Sequence, residues 1–255
     1  MSDRFVNKAK VKIISFTENA LDLLLYTKER RLGKNTTLRG IDEWSYEKKM
    51  DQISYMLNTI KSSFEFVDYI FEIRNVSRAF THQLVRTRTA SFQQESQRAV
   101  DVRSHEYLIT SKSPIYKLSI ERALIDYKDM IDGGEDVQNA RGVLPTAIYT
   151  SIFVKANLRT LSQIAELRLC KRTQGEYQEV FKKIVKEVIY IHSWADPLLQ
   201  AYCIKNCICA FPNYKACPVQ KFCFNPEERR EKIKAIWKKS NHVANPVVNE
   251  EGKTM

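Results

Sequence analysis

Three arginines, four glutamines and two serines occur within the sixteen residues 83–98 of this sequence. A segment this polar does not suit the interior of a hydrophobic core. Arginine donates paired hydrogen bonds to phosphate, glutamine presents an amide that can recognise the edge of a base, and serine offers a rotatable hydroxyl. The segment could therefore hold a nucleotide, and the alternative is a solvated loop with surface ion pairs.

The order of residues within this segment is more specific than its composition. It has the pattern Arg-x-Arg-x-x-Ser-x-x-x-x-Ser-x-Arg, filled by Arg86, Arg88, Ser91, Ser96 and Arg98. This pattern resembles the signature of the flavin-dependent thymidylate synthases, the ThyX family. The resemblance extends upstream through residues 64–83, and it covers about residues 10–225 in all.

Three further segments downstream of residue 98 resemble the same family. Residues 140–145, Ala-Arg-Gly-Val-Leu-Pro, are similar to its Arg-x-Val-Leu-Pro turn. Residues 157–159, Asn-Leu-Arg, are similar to its Asn-x-Arg, and residues 167–174 to its Leu-Arg-x-Cys-x-Arg-Ala-Gln segment. A glycine-rich dinucleotide fingerprint is not expected, because the family binds FAD between subunits without a Rossmann domain.

The resemblance implies an α+β enzyme with a ThyX-like fold, in which an antiparallel or mixed sheet packs with helices and the second half is mostly helical. Such an enzyme makes dTMP from dUMP, with methylene-tetrahydrofolate as carbon donor and FAD, reduced by NADPH, as hydride carrier. It is a homotetramer with sites shared between subunits. The ligands are all anionic, so they require fixed donors such as those of the motif.

The resemblance also assigns roles to individual positions. The residues expected to bind dUMP are Gln83, Gln94, Ser96, Arg98, Arg141 and Arg168. The residues expected to bind flavin are Arg86, Thr87, Arg88, Asn157, Arg159 and Gln163, with Asn157 and Arg159 supplied by a neighbouring subunit. Ser96 and Arg168 are the expected catalytic residues, and Ser96 acts through hydrogen bonding near the nucleotide rather than as an activated nucleophile.

Four positions depart from the family pattern. Thr87 stands where the family usually has histidine between the first two arginines, and Ala99 where it usually has an aromatic residue. Ile60 and Phe66 also replace histidines. Threonine supplies one hydrogen bond but no titratable ring. A ThyX-like enzyme with another product, such as a deoxyuridylate hydroxymethylase, is therefore the alternative within the same fold.

Charge and composition favour a globular protein that attracts anions. The 41 Lys+Arg against 30 Asp+Glu give a net charge of +11, which leaves a non-catalytic nucleic-acid-binding protein as a second alternative. Nucleic acid is nevertheless not an expected partner of the enzyme. No window of about 18 uninterrupted apolar residues occurs, and the start lacks the apolar stretch of a signal peptide, so we expect a cytoplasmic location and no membrane partner.

The sequence divides into a ThyX-like catalytic domain, residues 1–200, and a C-terminal segment, residues 201–255, with cysteines and a basic helical tail. The segment contains Cys203, Cys207, Cys209, Cys217 and Cys223. These lack the paired C-x2-C spacing typical of zinc sites, so no metal is expected and reduced thiols are the simpler interpretation. Residues 227–239 predict an amphipathic basic helix with a solvated face.

The elements that must position the motif follow from hydrophobic periodicity. Residues 11–16 predict a buried strand, and the next apolar residues predict a helix over 20–32 that Thr17 or Asn19 could cap. Apolar residues recur at helical spacing over 44–60, which predicts a helix. Apolar and polar residues then alternate over 67–73, which predicts a strand. The remaining patterns predict helices, which are listed as residues 77–85, 118–131 (ended by Gly133 and Gly134), 156–169 and 177–191.

Overall fold

The structure is a computed structural model that describes residues 9–206, together with Cys209 and Cys217. The cysteines Cys207 and Cys223 and the basic helix predicted over 227–239 lie outside the described residues. The described chain contains a four-stranded sheet with strand order β1-β2-β4-β3. Its strands, all paired antiparallel, are β1 Lys10–Phe16, β2 Asp68–Ser77, β3 Ser91–Gln94 and β4 Tyr149–Asn157.

The helices pack against this sheet. As predicted, they fill most of the second half of the described chain. They are α1 Ala20–Arg31, α2 Leu38–Asp42, α3 Tyr46–Leu57, α4 Arg78–Leu84, α5 Pro114–Asp132, α6 Val137–Ala140, α7 Leu158–Arg168, α8 Gly175–Ile191 and α9 Tyr202–Asn206. Short 3-10 turns occur at Ser62–Phe66, Arg141–Val143 and Ser193–Leu198. Among the described residues, no helix is both long and apolar enough to cross a bilayer.

The core lies on one face of the sheet. The buried side chains of β2 alternate with partly exposed ones, as the sequence pattern predicted, and Tyr69, Phe71 and Ile73 point to this face. Helix α8 covers it with a buried apolar stripe that includes Phe181 and Val188. Burial of large apolar side chains of this kind contributes about 1.5–3 kcal/mol for each residue.

Strands β3 and β4 were not predicted. The helix expected over 156–169 begins two residues later, at Leu158, because the preceding residues belong to β4. In that strand Ile152 and Val154 are buried whereas Phe153 is exposed, which is the alternation of a half-buried strand. The predicted second half is therefore helical except for β4.

The predicted cap of α1 is wrong. Asn19 occupies the N-cap position in a left-handed conformation, with φ 48°, and its side chain makes no capping hydrogen bond. The Thr17 hydroxyl instead accepts a hydrogen bond from the backbone N–H of Asp68 at 2.8 Å, so it ties the end of β1 to the start of β2. After α1, the short helix α2 begins at Leu38.

A partly buried histidine and a buried tyrosine form a hydrogen-bonded pair at the end of the sheet, directly after α8. His192 Nδ1 lies 2.8 Å from the Tyr69 hydroxyl, and the His192 ring packs edge-on against Phe16 with 5.6 Å between centroids. Burial lowers the pKa of His192 to about 4. The folded protein therefore holds this imidazole neutral down to a pH at which an unfolded chain has already protonated it.

We predict that His192 makes the protein less stable as the pH falls. Between pH 6.5 and 4 the unfolded chain binds a proton at this position and the folded chain does not, which removes at most about 3 kcal/mol of the free energy of unfolding. In thermal unfolding from pH 7 to 4.5, His192→Asn, which does not titrate but can still hydrogen-bond to Tyr69, should lose less stability than the wild type. Parallel curves for the two proteins would contradict this.

Candidate active site

The helix that leads into the arginine-rich segment begins at a buried carboxylate. Ser77 caps α4, because its hydroxyl accepts a hydrogen bond from the N–H of Phe80 at 3.0 Å. The same hydroxyl donates to Glu176 Oε2 at 2.5 Å, and the Ser77 N–H donates to Oε1 at 2.7 Å. Burial raises the pKa of Glu176, while these two hydrogen bonds lower it. The first turns of α4 and α8 are thus joined.

The first two motif arginines lie in the turn between α4 and β3. Arg86 and Arg88 are exposed, and neither forms an ion pair or a side-chain hydrogen bond with any residue that the structure describes. The Thr160 hydroxyl donates to the Thr89 carbonyl at 3.4 Å, which brings this turn beside the first turn of α7. Two unpaired guanidinium groups are thereby available to an anion at this point.

The remaining flavin-side residues lie at and near the start of α7. Asn157 Oδ1 accepts a hydrogen bond from the Thr160 N–H at 2.9 Å and so caps the helix, which leaves the amide N–H groups for other partners. Arg159 forms an ion pair with Glu65. Gln163, one turn further along, lines a cavity of about 390 Å³. The other residues that line this cavity are Thr59, Ile60, Lys61, Phe64, Arg159, Ser162 and Glu166.

A buried lysine lies behind this cavity. Lys205, in α9, donates to the Ser162 hydroxyl at 2.8 Å and to Glu166 Oε1 at 2.6 Å. These contacts hold α9 against α7. Sequence reasoning missed Glu65, Glu166 and Lys205, since the motif pattern describes ligand-binding residues and not the residues that pair with them.

Three of the nucleotide-side residues gather around α6. The Ser96 hydroxyl accepts a hydrogen bond from the Arg98 N–H at 3.2 Å, and Arg98 Nε donates to Gln138 of α6 at 2.8 Å. Arg141 directly follows α6. Burial lowers the pKa of Arg78, and the neighbouring positive charge of Arg141 lowers it further, whereas Glu95 raises it. The charges of Arg78 and Arg141 are thus close enough to repel each other, which favours an anion between them.

Two of the other nucleotide-side residues, Gln83 and Arg168, lie at the far end of α4, and Gln94 contacts the middle of this helix. Gln83 Nε2 donates to Gln174 Oε1, and Gln94 Nε2 donates to the Thr81 hydroxyl at 2.9 Å. Arg168, the last residue of α7, stacks on a tyrosine ring that the sequence had not indicated, Tyr177, with its Cζ 4.3 Å from the ring centroid. Burial raises the pKa of Tyr177, and the nearby side chains of Arg168 and Thr87 lower it, so Thr87, predicted to be on the flavin side, lies close to the hydroxyl of this same tyrosine.

The predicted residues other than Arg86 and Arg88, which lie in the turn after α4, therefore form three groups within one chain. The first group, at the start of α4, contains Ser96, Arg98 and Arg141. The second group, at the end of α4, contains Gln83, Thr87 and Arg168. Gln94 bonds to α4 between the two groups. Asn157, Arg159 and Gln163 form the third, beside the cavity. Among residues 9–206 and the two isolated cysteines, no group of three or more His, Cys, Asp or Glu side chains could hold a metal ion.

Comparison with known proteins identifies relatives with similar sequences. The family model described as "Thymidylate synthase complementing protein" matches residues 12–192. The flavin-dependent thymidylate synthase of Pyrococcus abyssi is 33% identical over 199 residues, which are 70% of this chain and 78% of that protein. The enzyme of the same name from Sulfurisphaera tokodaii is 31% identical over 214 residues, 78% of this chain and 79% of its relative.

Solved structures with a similar fold are more distant in sequence. The UMP/dUMP methylase PolB from Streptomyces cacaoi, bound with 5-Br dUMP, has a TM-score of 0.60 at 19% identity, covering 76% of this chain and 93% of that chain. ThyX from Helicobacter pylori, complexed with FAD and dUMP, has a TM-score of 0.60 at 20% identity, covering 70% and 93%. These likenesses show that the chain shares their fold, as the sequence predicted.

We predict that Ser77→Ala lowers the free energy of unfolding by about 2–3 kcal/mol, because it removes both a helix cap and a donor to a buried carboxyl group. Urea denaturation at pH 7 measures this loss. Ser113→Ala is the matched control, since Ser113 holds the N-cap position of α5 without a side-chain capping hydrogen bond. That variant should change stability by less than about 0.5 kcal/mol. Equal losses in the two variants would contradict the role given to Ser77.

Proposed function

The chain belongs to the flavin-dependent thymidylate synthase family, and we propose that it methylates C5 of dUMP to give dTMP. Methylene-tetrahydrofolate is the carbon donor, and FAD, when bound and reduced by NADPH, supplies the hydride. The observation that carries this proposal is the arrangement of the motif, in which Ser96, Arg98 and Arg141 gather at one end of α4 and Gln83 and Arg168 at the other.

The nucleotide side suits a dianionic phosphate. Arg98 and Arg141 lie beside α6 with Ser96, and a guanidinium pair of this kind can bind phosphate oxygens through several charge-assisted hydrogen bonds. Gln83 and Gln94, held at α4, present amides to the base. Each amide already has one partner in the chain, so its orientation is fixed before the nucleotide arrives.

The flavin-side residues fit the donor chemistry that FAD requires. Arg86 and Arg88 have no ion-pair partner among the described residues and can pair with a pyrophosphate. The amide N–H groups of Asn157 and the side chain of Gln163 can donate to ring or ribose oxygens. Arg159 can contribute once it exchanges Glu65 for the ligand.

The catalytic contribution of the protein is orientation and charge stabilisation. Arg168 stabilises negative charge that develops on the nucleotide, and Ser96 donates or accepts a hydrogen bond close to it. Fixed donors such as the Arg168 guanidinium need not reorganise as charge develops, which lowers the barrier.

A hydroxymethylase or a similar C5-modifying enzyme is the second candidate. It is favoured by the absence of imidazoles at three positions: Thr87 lies close to the Tyr177 hydroxyl, Ile60 lines the cavity and Phe66 is exposed. The family assignment gives no support to a non-catalytic nucleic-acid-binding protein.

We also propose a homotetramer whose active sites take residues from neighbouring subunits. In support, large apolar side chains are exposed close to the flavin-side group, with Ile60 and Phe66 each 57% exposed and Leu167 61% exposed. Exposed apolar clusters of this kind are typical of interfaces. The cytoplasm is the proposed compartment, because it contains the nucleotide, folate and NADPH substrates. The division at residue 200 stays a prediction.

Product analysis tests the proposed function. Purified protein with dUMP, methylene-tetrahydrofolate, FAD and NADPH should form dTMP, identified by mass spectrometry, and should show a flavin spectrum. Thr87→His should retain or tighten flavin binding, because it restores a ring at the cost of one neutral hydrogen bond, about 0.5–1.5 kcal/mol. A uracil carrying a group other than methyl, with no dTMP under any reductant, would favour the second candidate.

We predict that Arg98→Ala weakens dUMP binding by about tenfold or more, because a charge-assisted hydrogen bond contributes about 1.5–3 kcal/mol. Flavin affinity should change little. Calorimetric titration with dUMP and fluorescence titration with FAD measure the two effects separately. Gln138→Ala is the control variant, since it removes the chain's partner of Arg98 without removing the charge. Equal weakening of both ligands by Arg98→Ala would contradict the assignment.

A further inference from the structure

The Arg168 guanidinium has an unusual environment for a charged group. It is partly buried at the end of α7, and no carboxylate within the described part of the chain forms an ion pair with it. Its close partner is the face of the Tyr177 ring, 4.3 Å from Cζ. A cation over a ring face is stabilised by the electron density of the ring, and a stacked guanidinium keeps its N–H donors directed outward in its own plane.

The Tyr177 ring is itself rigidly held. It is 1% exposed, and it packs against Phe80 of α4 with 4.9 Å between ring centroids. The preceding residue, Glu176, is fixed by two hydrogen bonds from Ser77. The surface on which Arg168 rests is therefore positioned by α4, the same helix that carries Gln83.

The loop between Arg168 and Tyr177 is tied down independently. Gln178 Nε2 donates to the carbonyl of Cys170 at 2.7 Å and to that of Leu169 at 3.3 Å. These bonds fix the backbone immediately after Arg168 to the first turn of α8. Only the side chain of Arg168 then keeps conformational freedom, and stacking on the Tyr177 ring restricts it.

We propose that Tyr177 is a positioning residue that holds the Arg168 guanidinium in the orientation in which it binds dUMP. The inference rests on the proposed function, because it takes dUMP as the ligand of Arg168. The aromatic ring supplies the platform. Thr87 lies close to the Tyr177 hydroxyl, in the turn that also carries Arg86 and Arg88.

The Tyr177 ring takes the role that a carboxylate often has beside an arginine, which is to orient the guanidinium. A carboxylate partner would occupy the N–H donors of Arg168 and would repel the phosphate and any negative charge on the pyrimidine. A tyrosine ring orients the guanidinium without using those donors. The guanidinium thus stays both fixed and available, which reduces the entropy that binding must otherwise remove.

The test is dUMP binding to the FAD-loaded protein, measured by isothermal titration calorimetry. Tyr177→Leu should weaken binding by about tenfold, and Tyr177→Phe, which keeps the ring, by less than about threefold. The double variant Arg168→Ala/Tyr177→Leu should bind dUMP no more weakly than Arg168→Ala alone, because the two substitutions act on the same interaction between Arg168 and dUMP. Flavin affinity, from fluorescence, should stay within about twofold in all of them.

Tyr69→Leu is the matched control, since it removes an equally buried tyrosine ring remote from Arg168. It should lower the thermal unfolding midpoint and leave the dUMP affinity unchanged. If Tyr177→Leu does not fold, Tyr177→Met replaces it in the same comparison. Unchanged affinity in the ring-removing variant, an equal loss in Tyr177→Phe, or additive effects in the double variant would each overturn the inference. Wild-type dUMP binding and dTMP formation report separately on the proposed function.

Discussion

The site depends on a carboxylate that is buried where two helices begin. Glu176 and Ser77 are 99 residues apart in the sequence, and their paired hydrogen bonds bring the start of α8 to the end of β2. A buried carboxyl group without partners would cost several kcal/mol, and the Ser77 hydroxyl and N–H compensate for much of that cost. Because α4 begins at Ser77 and Tyr177 follows Glu176, this contact sets the distance between the arginine motif and the platform under Arg168.

Local patterns were sufficient to place β1, α1, α5, α8 and the alternation in β2. The prediction that the first strand is buried was wrong, because β1 lies at the edge of the sheet and all its residues are exposed or partly exposed. Local patterns failed where pairing across the sheet decides the structure. β3 has four residues, two of them glutamines, and it is a strand because Phe92 pairs with Val154 and Gln94 with Ile152 of β4. β4 itself ends directly at the helix that follows it, so its last two residues, Ala156 and Asn157, were included in the predicted helix and the rest of the strand was not predicted. No local period distinguishes the strand from the helix, because the decisive contacts are distant in sequence.

The motif spacing identified the residues that can contact ligands, but not the residues that hold them. Gln138 and Tyr177 carry no signature of their own, since each acts on an arginine from another part of the chain. Gln174 and Glu65 lie in segments that resemble the family, but the pattern did not indicate their partners, Gln83 and Arg159. The resemblance assigned Thr87 to the flavin side, and in this chain it also lies close to the hydroxyl of the tyrosine beside Arg168. A position expected to contact the flavin therefore lies next to a nucleotide-side arginine, which a pattern of single positions does not express.

The arginines at the two ends of α7 differ in whether they are already free and oriented to bind a ligand. Arg168 lies in the last turn, where the helix dipole stabilises a cation, and its stacking partner is already in place. Arg159 lies in the first turn, where the dipole opposes a cation, and it pairs with Glu65 instead. That ion pair is exposed on both sides and contributes less than about 1 kcal/mol, so an anion favoured by the same helix end can replace Glu65 at little cost. The nucleotide side is thus preformed, and the flavin side exchanges one partner for another.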